Sequence, residues 1–152
     1  MRTVKHILES KPRTFNTIQP NELVINALNL LNALNLSYLV VMEGDEYKGI
    51  FSERDYSRNV ILKGLTSSSA TVKEVMTTDV PIVSIADTAE NCMNLLNLFK
   101  TRYLLVYDAN EKFAGVVTIN DILRQVISSK EEVFDTCQTG NLISDTAISS
   151  IY

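Results

Sequence analysis

Gly49-Ile50-Phe51-Ser52-Glu53-Arg54-Asp55 and Gly115-Val116-Val117-Thr118-Ile119-Asn120-Asp121 carry one pattern: a glycine, two apolar residues, a hydroxyl residue, two more residues and an aspartate. The second copy begins 66 residues after the first. In each, an apolar run of strand character ends at the hydroxyl residue and a helical run begins there. Working outward, Val4-Lys5-His6-Ile7-Leu8 returns 68 residues on as Val72-Lys73-Glu74-Val75-Met76, and Thr17-Ile18-Gln19-Pro20 returns 67 residues on as Ser84-Ile85-Ala86-Asp87. Anchors in the same order at a nearly constant offset, with two single-residue deletions absorbing the drift, mark an internal duplication.

Each copy reads as β-α-β-β-α. A short strand at Thr17 and Ile18 precedes a helix opened by Pro20, and Asp87 opens its counterpart. In the first helix Ala27, Leu28, Leu31 and Leu34 form the apolar face, with Asn26, Asn29, Asn32 and Asn35 on the other side; Cys92, Met93, Leu95, Leu96 and Phe99 form the face of the second. Two strand-like runs follow in each copy, over 38–42 and 47–51 and over 103–107 and 113–118, joined by turn-like polar residues. Closing helices are expected over about 55–63 and 120–129. The division is a first repeat at 1–63, a Ser-rich linker at 64–71, a second repeat at 72–130 and a polar tail at 131–152, read as a short helix docking on the body or on a partner subunit. One such unit is marginal alone, so the two are expected to bury their sheets against each other in an α/β (α+β) body with pseudo-two-fold symmetry and two related clefts between the halves.

The repeated motif admits two readings. Ser/Thr-x-x-Asp is a capping box, in which the hydroxyl and the carboxylate satisfy free amides of the first helical turn, at about 1 kcal/mol. It is also a way to bind a nucleotide. A helix start favours an anion, and a carboxylate there accepts two hydrogen bonds from a vicinal diol such as a ribose. Phosphate must then lie away from the Asp, near a cation, for which Arg54, Arg58 and Arg102 are candidates.

Other functions find little support. The net charge of -4 argues against nucleic-acid binding. His6 is the only histidine, with no Cys or Asp at ligand spacing, so neither a metal site nor a Ser-His-Asp triad is expected. The five glycines are dispersed, with no dinucleotide-binding or phosphate-binding loop. The chain is therefore read as a binding module and not an enzyme. Cys92 and Cys137, far apart, suit a reducing cytoplasm, and no apolar run approaches the roughly 20 residues of a membrane span.

At these residues the chain resembles a pair of cystathionine β-synthase (CBS) domains, the Bateman module, over about residues 1–130. The first motif, running on through Tyr56 and followed by Val60-Ile61-Leu62-Lys63-Gly64, is similar to stand-alone bacterial CBS pairs; Arg102-Tyr103-Leu104-Leu105-Val106 resembles the corresponding second-copy segment, with Tyr103 where His is common and Leu105 where Pro is common. The resemblance implies a homodimer paired through helices and a regulatory adenine nucleotide, AMP first among AMP, ADP, ATP, NAD(H) and S-adenosylmethionine, in the clefts. It implies that Asp55 and Asp121 hold ribose, that Ser52 and Thr118 approach ribose or phosphate with their neighbours Arg54 and Asn120, and that Arg102 meets phosphate beside Tyr103. The stretches Lys11–Phe15, with Lys11, Pro12 and Arg13, and Thr78–Ile82, with Val80, Pro81 and Ile82, would frame adenine largely through backbone. A regulated enzyme or transporter is the implied partner. The alternative is a ligand-free dimerisation module acting by contact alone, with Tyr38 and Tyr103 filling the clefts.

Overall fold

A computed structural model describes residues 2–12 and 14–128; Arg13, Cys137 and the tail lie outside the described residues. The chain runs α1 (Val4–Glu9), β1 (Thr17–Ile18), α2 (Val24–Leu34), β2 (Tyr38–Glu43), β3 (Glu46–Ser52), α3 (Glu53–Asp55), which continues as a π-helical turn (Tyr56–Ile61), α4 (Val72–Val75), β4 (Ile82–Ser84), α5 (Ala89–Leu98), β5 (Tyr103–Tyr107), β6 (Phe113–Thr118) and a closing helix α6 over 119–128. The strands form two sheets of the same topology, β1-β2-β3 and β4-β5-β6. In each, the first strand is parallel and the last antiparallel to the central one. Both hairpins carry an irregularity at the same place, between Val41 and Met42 and between Val106 and Tyr107. A duplicated distortion is direct evidence of a duplicated unit.

Strand pairing corrects the alignment of the copies. Thr17 pairs with Val40, and Ile82 pairs with Leu105, so Thr17 corresponds to Ile82 and not to Ser84. A slip of two residues preserves the inward and outward alternation of a strand, which is why the sequence pattern tolerated it. The corrected offset makes the span from the start of the leading helix to the first strand three residues longer in the first copy than in the second, two of them in the helix and one in the loop. The helices also start later than Pro20 and Asp87 suggested, after the capping positions Leu23 and Thr88. Leu34 and Phe99, assigned to apolar helix faces, are instead 50% and 58% exposed. The asparagine row of α2 is exposed, as its spacing required.

The central strands are apolar on both sides because both sides are covered. Leu39, Val41 and Phe51 face the helices of their own half, with Val24, Ala27 and Leu31 of α2. Val40 and Ile50 face the other way and meet Leu105, Val116 and Val80 in a shared core between the sheets. Symmetry-related aromatic rings meet at this junction: Tyr38 with Tyr103 at 5.0 Å between centroids, and Tyr47 with Phe113, stacked, at 5.0 Å.

The leading helices are exchanged. Val4 and Ile7 of α1 are buried in the core of the second sheet, with Val83, Leu104 and Val117. Val72 and Val75 of α4 are buried in the core of the first. Backbone bonds fix the exchange, from Val4 N–H to the Asp87 carbonyl and from Val72 N–H to the Glu22 carbonyl. Gly49 makes the α4 side possible. A Cβ there would lie 2.7 Å from Met76 Sδ and 2.9 Å from the Thr77 carbonyl oxygen. Gly49 thus lets the loop after α4 bridge to Ile50, two residues upstream of the first motif's hydroxyl.

Candidate functional site

Ser52 and Asp55 sit where β3 gives way to α3, and both are 6% exposed. Asp55 Oδ2 accepts from the Ser52 backbone N–H at 2.8 Å and from Ser52 Oγ at 3.0 Å, and Asp55 Oδ1 accepts from Thr77 Oγ1. The capping reading is thus fulfilled. The carboxylate has no cationic partner among these contacts, and it forms part of the wall of a cleft of about 470 Å³. That volume falls within the range of small-ligand sites, roughly 300–1,000 Å³. Four basic side chains, Arg54, Arg58, Lys100 and Arg102, and three acidic ones, Glu53, Asp55 and Asp79, line it with Tyr103 and Phe99. The two ends of the cleft come from different halves, the first motif on one side and the turn between α5 and β5 on the other. Lys100, in that turn, holds a left-handed backbone with φ of 50°. Burial pushes the Tyr103 phenol above its ordinary value; its hydrogen bond with Ser37 and the nearby Arg102 charge pull the other way. A charge-neutral, hydrogen-bonding phenol therefore faces this cleft at all physiological pH values.

The second motif has the same local geometry and different surroundings. Thr118 N–H donates to Asp121 Oδ2 at 2.9 Å, and Asp121 N–H donates to Thr118 Oγ1 at 3.2 Å, a complete capping box. Where the first copy has Thr77, this one has Lys11. Its ammonium donates to Asp121 Oδ2 at 2.8 Å and to the Val116 carbonyl at 2.9 Å. Arg124 Nη1 stands 3.8 Å from Asp121 Oδ1. Beside this motif lies a cavity of about 690 Å³ against Lys11, Pro12, Phe15 and Val116, and a further cavity of about 180 Å³ is lined by Asn16, Asn35, Ser37 and Tyr38.

Of the residues the sequence singled out, the structure gathers Ser52, Arg54, Asp55, Arg102 and Tyr103 in the first cleft. Lys11 and Pro12 lie on the other side of the molecule with Thr118 and Asp121, and Asn120 of that motif is exposed. Val80 is buried in the core between the sheets and Ile82 is 62% exposed on β4, while Pro81 uses its carbonyl to accept from Leu105 N–H. Lys11 engages through its side chain and not only its backbone. Thr77 and Lys100 were missed, and Asp79 was expected only as part of the stretch framing adenine. Thr77 and Asp79 follow α4, and only the exchange of leading helices brings them to the first motif; the copies' equal spacing carries no sign of it. Among the described residues no helix is long and apolar enough to cross a membrane, and no group of His, Cys, Asp and Glu could hold a metal ion.

The CBS domain family matches the chain twice, over residues 4–61 and 72–128. A candidate signal-transduction protein with CBS domains from Burkholderia ambifaria MC40-6 is 35% identical, with a TM-score of 0.77 over 84% of this chain and 95% of its own. The mitochondrial CBS domain-containing protein CBSX3 of Arabidopsis thaliana is 25% identical over 86% of this chain and 67% of its own length. CBSX2, solved in complex with AMP, shares the fold at 24% identity and a TM-score of 0.69, over 86% of this chain and 99% of its own. These relatives, matched along most of their own length, are CBS-domain proteins, and the reading of the chain as a regulatory module and not a catalyst rests on that comparison.

Proposed function

The chain belongs to the CBS-domain family, and from that premise we propose that it senses an adenine nucleotide, AMP in the first instance, in the cleft built on Ser52 and Asp55. One observation carries the reading: a buried carboxylate with no cationic partner among the described residues, at the wall of a cleft that also holds Arg54, Arg58, Lys100 and Arg102. Ribose hydroxyls donate to Asp55, which is an acceptor only, and the phosphate lies toward the guanidinium groups and away from the carboxylate. The same fold holds AMP in CBSX2, which supports an adenylate here. Adenine is framed by the loop after α4 and by the Tyr103 side.

Isothermal titration with AMP, ADP, ATP, NADH and S-adenosylmethionine tests the reading. Saturation by one adenylate, weakened at least about 10-fold in Asp55→Ala, is the expected result. Absence of heat with every adenylate at millimolar concentration would overturn it and leave the contact-only module, which the Tyr38–Tyr103 packing at the junction favours. Pairing into a homodimer is part of the proposal and is supported by apolar side chains left on the helical surface, Leu62 at 79% and Leu98 at 73% exposed. Sedimentation velocity decides it. A cytoplasmic site of action, with a regulated enzyme or transporter as partner, completes the proposal.

A further inference from the structure

The two motifs are alike in sequence and unlike in what sits on their carboxylates. Asp55 is held by hydroxyl and amide donors. Asp121 also accepts from the Thr118 amide, but its other contacts are cationic: the Lys11 ammonium, itself bonded to the Val116 carbonyl of β6 and on a side chain only 23% exposed, and Arg124 Nη1 at 3.8 Å. Lys11 reaches this position from the loop after α1, one residue longer than its counterpart after α4. The cavities reflect the difference. Ser52 and Asp55 line the first cleft. The cavity of about 690 Å³ beside the second motif is lined by Lys11 and Val116, and not by Thr118 or Asp121.

We propose that Lys11 is a built-in latch that occupies the diol acceptor Asp121 and closes the second cleft to ribose-bearing ligands, so that each chain takes one nucleotide, at Asp55. A ribose entering at Asp55 displaces at most a neutral hydroxyl donor, whereas one entering at Asp121 must displace an ammonium of opposite charge to the carboxylate. A ligand with only hydroxyl groups to offer leaves the latch closed. The one-nucleotide stoichiometry rests on the adenylate reading above; the latch itself does not.

Two experiments separate the two. In the absence of any nucleotide, the rate at which Lys11 reacts with an amine-directed acylating reagent is read by peptide mass spectrometry in the wild type and in Asp121→Asn. Release of the ammonium in the variant is expected to raise that rate at least about threefold, with the other lysines unchanged. An equal rate at Lys11 in both proteins overturns the latch, whether or not adenylates bind. Titration with AMP then reads its consequence. Wild type is expected to bind one equivalent, lost in Asp55→Ala. Lys11→Met is expected to gain a second equivalent that disappears in the Lys11→Met, Asp121→Ala double variant. Two equivalents in the wild type, or one in Lys11→Met, overturn the proposed selection between the clefts.

Discussion

Asp55→Asn separates the two roles that the first motif combines. The substitution keeps size and shape and removes charge. Asp55 accepts three bonds, two at Oδ2 from the Ser52 amide and hydroxyl and one at Oδ1 from the Thr77 hydroxyl. An amide in its place can keep its carbonyl toward Ser52, whose N–H can only donate, and turn its NH2 toward Thr77, whose hydroxyl can rotate to accept. All three bonds survive as neutral ones, each weaker by about 1 kcal/mol, and relief of the cost of burying a carboxylate offsets most of that loss. The expected net destabilisation is about 1 kcal/mol, a fall of roughly 2–4 °C in Tm for a chain of this size. Binding has no such offset. A ribose diol that gave two bonds to a carboxylate finds a single carbonyl already engaged by Ser52, and about 2 kcal/mol is lost, close to 30-fold in Kd. Differential scanning calorimetry and titration with AMP on the same preparation give both numbers. A Kd within twofold of wild type alongside the expected Tm would refute the reasoning, since the carboxylate would then serve the helix cap alone. Asp55→Ala, which leaves the Ser52 amide without an acceptor, is expected to lose a further 1–3 kcal/mol of stability.

Gly49→Ala places a methyl group 2.9 Å from the Thr77 carbonyl, which is tied to Ile50 N–H and cannot retreat, so a loss of about 1–3 kcal/mol by urea denaturation is expected, together with weaker binding at Asp55. Gly44, with φ of 62° and nothing within 4 Å of an added Cβ, supplies the contrast: Gly44→Asn is expected to be near neutral in the same assay. Lys100→Asn puts a residue tolerant of left-handed backbone at φ of 50° and is expected to raise stability by about 0.5–1 kcal/mol in thermal melts while weakening AMP more than adenosine. Burial, with Asp87 nearby, pushes the Cys92 thiol up to about 11. Its neutral form is the one the fold favours, so this contribution to stability is whole below the unfolded thiol's ordinary range near pH 8.5 and is lost as pH rises toward 11. Alkylation at Cys92, followed by peptide mass spectrometry at pH 8, is expected to run on the order of 100-fold slower in the folded chain than in urea.

Local features were legible in the sequence because each has a local cause. The Ser/Thr-x-x-Asp spacing fixes a strand end and a helix start through bonds within three residues, and both copies adopt it. The apolar runs at 38–42 and 103–107 declare strands covered on both faces. What escaped was non-local. The exchange of α1 and α4 depends on which sheet offers room for Val4 and Ile7 or for Val72 and Val75, and short apolar helices of similar pattern do not encode that choice. Thr77 lies 22 residues from Asp55 in a stretch with no motif of its own. Phe99 reads as core because it continues an apolar spacing, yet α5 ends at Leu98 and the face turns away. Cys137 and the tail at 131–152 fall outside the described residues.

The exchange of the leading helices explains why a ligand in the first cleft would act on the whole module and not on one repeat. Ser52 and Asp55 come from the first sheet's hairpin; Thr77 and Asp79 follow a helix supplied by the second repeat; Lys100, Arg102 and Tyr103 belong to the second sheet's side. A molecule that bonds all three groups stabilises the one placement of the two sheets in which those groups converge. It can shift that placement only by the difference in its affinity for the two arrangements. At 100 times Kd, and with no affinity for the other arrangement, that amounts to about 2.7 kcal/mol. The shared core beneath the cleft is small, with five buried side chains ringed by half-buried aromatic ones and a methionine, and the Tyr38 and Tyr103 rings cross it at 5.0 Å. A few kcal/mol directed at that junction is therefore large against what holds it. Inequality between the clefts then has a use: with Lys11 already engaged on Asp121, one side of the junction is held by the protein's own ammonium, and the other is left to report on the ligand.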